Sequence, residues 1–325
     1  MQVVGYEAGA VQAMSIFDDT LFLGSAGRVR AMDVSSGGHA GEFVAGSHMP
    51  YEVTALWSGL SAAGHMLIAT GRSDGKLMAW RCGVTTAAVA FPETETISGQ
   101  PVTSLVQCDR WLASSTLDGR INFWDIADLE KSGAVGSTRP PLDCGQPVHC
   151  LTSGREALYA GCQDGSVLKI PTHNSAAEDV QELYRSDLAV TALAHIEASD
   201  SLVLGHADGH LLELKEDGAT VKMATFHREE VRTLQALSAG VLSVAGDGRL
   251  GVWGVQEEKL GALQPLWGLR GLPPKATAAA SETGIFVNCT VNLGTPGPVC
   301  ETVLMCLLIQ TLQHPLCYGD GFFSP

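Results

Sequence analysis

Ser114-Ser115-Thr116-Leu117-Asp118-Gly119-Arg120-Ile121-Asn122-Phe123-Trp124-Asp125 is the stretch that decides how this chain folds. Small residues lead into Asp118-Gly119, and an alternating run follows, ending on Trp124-Asp125. Asp-Gly between two apolar runs is a strong hairpin signal, and it predicts a tight turn whose two central residues both have positive φ. The alternation after it predicts a strand with two differently packed faces.

The same pattern recurs on both sides of this segment. Apolar strands of the form V-x-x-L or V-x-x-M begin at Val11, Val53, Val102, Val148, Val190 and Val231, at intervals of 42, 49, 46, 42 and 41 residues. Each leads to a second apolar strand ending in small residues, and then to a turn. The turns are Ala26-Gly27, Asp74-Gly75, Asp118-Gly119, Asp164-Gly165, Asp208-Gly209 and Asp247-Gly248. Six residues beyond each first turn residue stands Met32, Trp80, Trp124, Ile170, Leu214 or Trp253. Repeats of about 40–45 residues built from short strands and tight turns predict propeller blades stacked around an axis. The bulky residue is expected to fill the space between blades, and the small residues to let neighbouring sheets approach closely.

These residues resemble the WD-repeat family. Phe123-Trp124-Asp125 is similar to the family's terminal dipeptide, and Thr103-Ser104-Leu105 and Ser114 to Gly119 fill further positions of the third repeat. Gly46-Ser47-His48 and Phe226-His227 stand where the family places its Gly-His pair. The likeness covers residues 5–270. It implies an all-β, seven-bladed WD-repeat β-propeller with six clear blades. Its His–Ser–Asp–Trp hydrogen-bond set would be incomplete in most of them, since only Trp124 precedes an Asp and the fourth and fifth repeats lack the Trp. The W-D-x-R mark of ubiquitin-ligase receptors is absent, because Ala127 stands where the Arg would be.

A seventh repeat opens at Lys275-Ala276-Thr277-Ala278 and Gly284-Ile285-Phe286-Val287, after which the register is lost. A propeller has to close or expose a sheet edge. The resemblance implies closure by an N-terminal strand, here Met1 to Tyr6. Residues 1–288 therefore read as the propeller, and 289–325 as an atypical C-terminal segment completing or flanking the last blade. Within it Thr302–Gln310 reads either as the missing third strand or as a short helix; an altered C-terminus is the third reading.

Composition bounds the function. Of 325 residues, 45% are hydrophobic and 17% charged, a globular balance. A net charge of −15, with no run of Lys and Arg, argues against direct nucleic-acid binding and suits basic protein partners. The longest apolar stretch, Val303 to Ile309, is too short to span a bilayer, and the N-terminus lacks the flank and core of a secretory signal. Nine cysteines without a C-x-x-C pair read as free thiols, so the expected setting is intracellular, cytoplasmic or nuclear.

Chemical motifs are weak. Gly246-Asp247-Gly248-Arg249-Leu250-Gly251 matches G-x-G-x-x-G, yet it falls on the sixth hairpin rather than between a strand and a helix. His206 and His210 flank the Asp208-Gly209 turn, which gives them no shared helical face for a metal. His149 and Cys150 are strand neighbours pointing to opposite faces. No catalytic residue, cofactor or metal is expected, and the reading is a non-catalytic scaffold or adaptor for protein or peptide partners. The alternatives are an obligate subunit of a larger assembly and, behind it, a propeller enzyme. Family likeness places the binding positions beside the first strands: Tyr51, Glu52, Gln100, His149, Leu188, Glu229, Glu230 and Arg232.

Overall fold

The computed structural model describes residues 2–8, 11–36, 38–44, 51–82, 89–90, 94–95, 99–129, 139–172, 180–215, 218–237, 240–255, 263–269, 272, 277–280, 284–292 and 300–308. Gly46-Ser47-His48, Met1 and everything after residue 308 lie outside them.

The fold is an all-β propeller. Six of the repeats form antiparallel sheets, each in simple up-and-down order. The first blade runs through Ala13–Phe17, Thr20–Ser25, Arg28–Asp33 and His39–Val44. The third runs through Val102–Cys108, Trp111–Thr116, Arg120–Asp125 and a two-residue outer strand, Leu142–Asp143. Inner strands of successive repeats lie side by side, from Ala13–Phe17 to Val231–Leu237. A further sheet joins Thr277–Ala280, Gly284–Asn292, Cys300–Leu308 and Gln2–Ala8 in that spatial order. Thr277–Ala280 lies beside Val231–Leu237 on one side and Ala13–Phe17 on the other. Among the described residues the one helix is the short Ile126–Leu129, capped where Asp125 Oδ1 accepts from Ala127 N–H at 2.9 Å.

A spacing of three in V-x-x-L does not fit a strand, whose side chains alternate with period two. The structure resolves this. In five blades the inner strand slips register after its valine: between Val53 and Ala55, Val102 and Ser104, Val148 and Cys150, Val190 and Ala192, and Val231 and Thr233. One extra residue bulges out, so the Val and the Leu three places on return to the same face. Val53 and Leu56 pack in one cluster with Trp80 and Phe22 of the first blade. Val102, Leu105 and Trp124 share a cluster with the second blade, and Val231, Leu234 and Trp253 share one with the fifth. The three repeat-defining apolar residues thus form a single wedge into the seam with the preceding blade. Met32, Trp80, Trp124, Ile170, Leu214 and Trp253 are all buried, each contributing ~1.5–3 kcal/mol of transfer free energy.

In the first, second, fourth and fifth blades a glycine before the turn accepts the valine of the next blade. A Cβ added at Gly71 would lie 2.3 Å from Val102 Cγ1, and one at Gly205 2.6 Å from Val231 Cβ. Branched side chains there would hold the sheets apart.

The hairpins differ from the sequence expectation. In the second to sixth blades only the Gly has positive φ, from 70° to 92°, and none of the five turn aspartates does. These loops have three residues. The amide of Gly119 donates to Thr116 O at 3.0 Å, closing a turn that the Gly ends in the left-handed region. The first hairpin is shorter, with Ser25 opposite Arg28. Glycine is required for space as well as φ: a Cβ on Gly119 would sit 2.2 Å from Gln146 O.

Candidate functional site

The inner strands and hairpins place four kinds of residue in a repeating pattern on one face. The residue before each inner-strand valine is backbone-bonded to the first loop residue of that blade's own hairpin. Ser73 N–H donates to Glu52 O, Leu117 to Pro101 O, Gln163 to Pro147 O, Ala207 to Ala189 O and Gly246 to Glu230 O, all at 2.9–3.1 Å. These pairs make a rim whose backbone is fixed and whose side chains vary. Two residues before each valine stand Tyr51, Gln100, Gln146, Leu188 and Glu229. At the bulge itself stand Thr54, Thr103, His149, Thr191 and Arg232.

The eight sequence-derived positions fall on three of these sets, so the structure gathers them on one face. It also shows that they are not alike. Tyr51 covers the guanidinium of Arg72, 4.1 Å from its ring, while Arg72 bonds Asp74 through Nε at 3.0 Å and Nη2 at 2.7 Å. Arg72 is only 1% exposed, so Tyr51 roofs a buried ion pair as well as facing solvent. His149 bonds Gln163 across the start of the fourth blade. Glu52, Gln100, Leu188, Glu229 and Glu230 are exposed, and Arg232 lies 3.9 Å from Glu230.

Sequence reasoning missed the hairpin positions, Leu117 and Gln163 among them, because it treated the turns as structural only. It also missed what the bulged residues do. Thr54 Oγ1 donates to Val102 O at 2.7 Å, Thr103 Oγ1 to Val148 O at 2.7 Å and Thr191 Oγ1 to Val231 O at 2.6 Å. Each hydroxyl ties its blade to the next. At the fourth blade His149 occupies the bulge, and Cys150 Sγ lies 3.8 Å from Val190 O instead. A serine or threonine straight after the repeat valine was a readable signal for this tie.

The hairpin carboxylates are engaged locally. Asp74, Asp164, Asp208 and Asp247 each accept from the backbone N–H two residues on. Burial works to raise Asp164 and Asp208, yet hydrogen bonds from Ser166, Gln146 and Arg185 to the first and from His210 to the second hold both below the usual carboxylate range. In the sixth blade Trp253 Nε1 donates to Ser243 Oγ at 2.8 Å, His227 Nε2 meets the same hydroxyl at 2.7 Å, and His227 Nδ1 sits 3.5 Å from Asp247 Oδ1. Burial lowers His227 to about 4, against the pull of Asp247. The third blade has the Trp124 Nε1 to Ser114 Oγ bond, at 3.0 Å, and in its sequence Ser98 stands four residues before Val102, as His227 stands before Val231. Gly246 to Gly251 lies on this sixth hairpin and the strand after it.

His206 and His210 stand at the two ends of the fifth hairpin's strands. His206 is buried with neither ring nitrogen hydrogen-bonded, and burial lowers its pKa; His210 bonds Asp208. Among the described residues no group of three or more His, Cys, Asp or Glu could hold a metal ion, and no helix is long and apolar enough to cross a membrane.

No family model matches the chain, and no curated protein does. Solved structures do. The computationally designed Ika8 protein is similar with a TM-score of 0.63 and 24% identity, covering 89% of this chain and 83% of its own. Raptor from Chaetomium thermophilum is similar with a TM-score of 0.72 and 13% identity, over 94% of this chain but only 28% of its own. At such identities the likeness shows one thing, the β-propeller fold.

Proposed function

We propose that this chain is a seven-bladed WD-repeat propeller that serves as a non-catalytic scaffold or adaptor, holding protein or peptide partners on the rim face. The seventh blade of this reading is the sheet of Thr277–Ala280, Gly284–Asn292, Cys300–Leu308 and Gln2–Ala8, with the N-terminal strand outermost. The position of Thr277–Ala280 between the sixth and first inner strands supports it.

One observation carries the scaffold reading. Rim positions share a fixed backbone, bonded blade by blade, while their side chains run from Glu and Arg to Pro, Leu and His. Variable side chains on a rigid frame suit recognition. The hairpin aspartates, tied to their own turns, favour a structural role over acid–base work. Affinity purification with mass spectrometry tests the reading, comparing the wild type with Arg232→Ala and Glu229→Ala together and with Leu60→Ser on the opposite face. Partners lost only with the rim variant support it; partners retained by that variant, with fold intact, refute it.

A further inference from the structure

Three large hydrophobic side chains are exposed among the described residues: Leu60, Leu117 and Leu188. Two of them, Leu117 at 39% and Leu188 at 41%, lie on the rim on either side of the fourth blade's entrance. Leu117 leads the third hairpin. Leu188 enters the fifth inner strand, and its carbonyl would be 2.7 Å from a Cβ on Gly165 of the fourth hairpin. Between them the rim pairs are Pro101 with Leu117, Pro147 with Gln163, and Ala189 with Ala207, none charged. Among these backbone-paired positions, charged residues return only with Glu52 at the second blade and Glu230 at the sixth.

Around this uncharged arc the sign is mostly negative. Glu52, Asp143 and Asp187 are exposed and make no ion pair among the described residues. The cations near the arc are largely held: Arg120 lies 3.7 Å from Asp118, Arg232 lies 3.9 Å from Glu230, and Arg185 bonds both Asp164 and Glu182. Arg228 is exposed at the sixth-blade end.

We propose that the rim of the third to fifth blades binds a segment of another protein in which an apolar side chain stands between lysines or arginines. This deepens the scaffold reading and rests on it. The apolar side chain packs against Leu117 and Leu188, the large hydrophobic side chains exposed on this face among the described residues. The flanking cations meet Asp187 and Asp143 near the arc and Glu52 at its end. An acidic segment would face these carboxylates unpaired, so the sign of charge selects the partner.

The test uses the full chain and short fluorescent peptides with a central Leu, flanked by Lys and Arg, by Glu, or by Ser. Anisotropy is expected to rise for the basic peptides alone, and to fall back as ionic strength is raised. Leu117→Ser with Leu188→Ser is expected to weaken binding by ~10-fold or more, as is Asp187→Lys with Glu52→Lys, whereas Leu60→Ser leaves it unchanged. Melting curves confirm that each variant folds. Equal binding of acidic peptides, no saturable binding of basic ones, or binding that survives both double variants overturns the proposal. If the peptides fail while partner capture still depends on Arg232 and Glu229, this proposal falls and the scaffold reading stands.

Discussion

Acid should weaken this propeller through one residue in particular. His227 lies under the sixth hairpin with its side chain fully buried, its Nε2 bonded to Ser243 and its pKa lowered to about 4 from 6.5, chiefly by burial. A histidine with a lowered folded pKa is held neutral in the native state, while the unfolded chain takes up the proton. Stability from this group is therefore full above pH 6.5, falls as the pH drops below it, and stops falling near pH 4. At ~1.4 kcal/mol per unit, moving from pH 7 to pH 5 costs about 2 kcal/mol through His227 alone. The perturbation is His227→Gln, which cannot titrate. At pH 7 it loses the bond to Ser243, about 1 kcal/mol. At pH 5 it is expected to match or exceed the wild type. Urea unfolding followed by tryptophan fluorescence at both pH values reads the difference. Parallel loss of stability in variant and wild type would refute the reasoning.

Thr191→Val removes the hydroxyl that reaches Val231 O and is expected to lower stability by about 1 kcal/mol, with faster amide exchange in Val231–Leu237 as the local readout. Gly165→Ala and Gly145→Ala both put a Cβ at positive φ, but a Cβ at Gly165 meets Ser186 O at 2.1 Å whereas at Gly145 it meets nothing within 4 Å. Gly145→Ala should therefore cost only ~1–2 kcal/mol, and Gly165→Ala clearly more by thermal melting; equal costs would show that the loop yields. Burial raises Cys82, Cys108 and Cys162 to about 11 and Cys144 to about 12. These four thiols should react slowly with a disulfide reagent at pH 8 in native protein and at once in denaturant, as mass mapping of the labelled cysteines will show.

The repeat valine, the turn and the bulky residue six places on were legible because each is dictated locally, by turn chemistry and by a wedge into one seam. V-x-x-L carried more than was read from it. A three-residue spacing on one face is incompatible with a regular strand, so the bulge after Val53 or Val102 was implied by the pattern. Positive φ at both turn residues was the wrong expectation, because Asp118 belongs to a three-residue loop in which only Gly119 needs that region. The face of the eight binding candidates followed from their offset to the valine, but their chemistry did not. Tyr51 roofing Arg72 and Leu117 flanking Leu188's arc depend on contacts between segments far apart in the chain.

The three threonine ties run one way, the bulge of the second, third and fifth blades each grasping the carbonyl of its successor. A repeat excised from the circle leaves a hydroxyl on one flank and a carbonyl on the other with nothing to hold, so single repeats are poor candidates for independent folding. The join between the fourth and fifth blades has a thiol 3.8 Å from its carbonyl where its neighbours have hydroxyls within 2.7 Å. Of the four joins between the second blade and the sixth, that is the one that should part first under mechanical load.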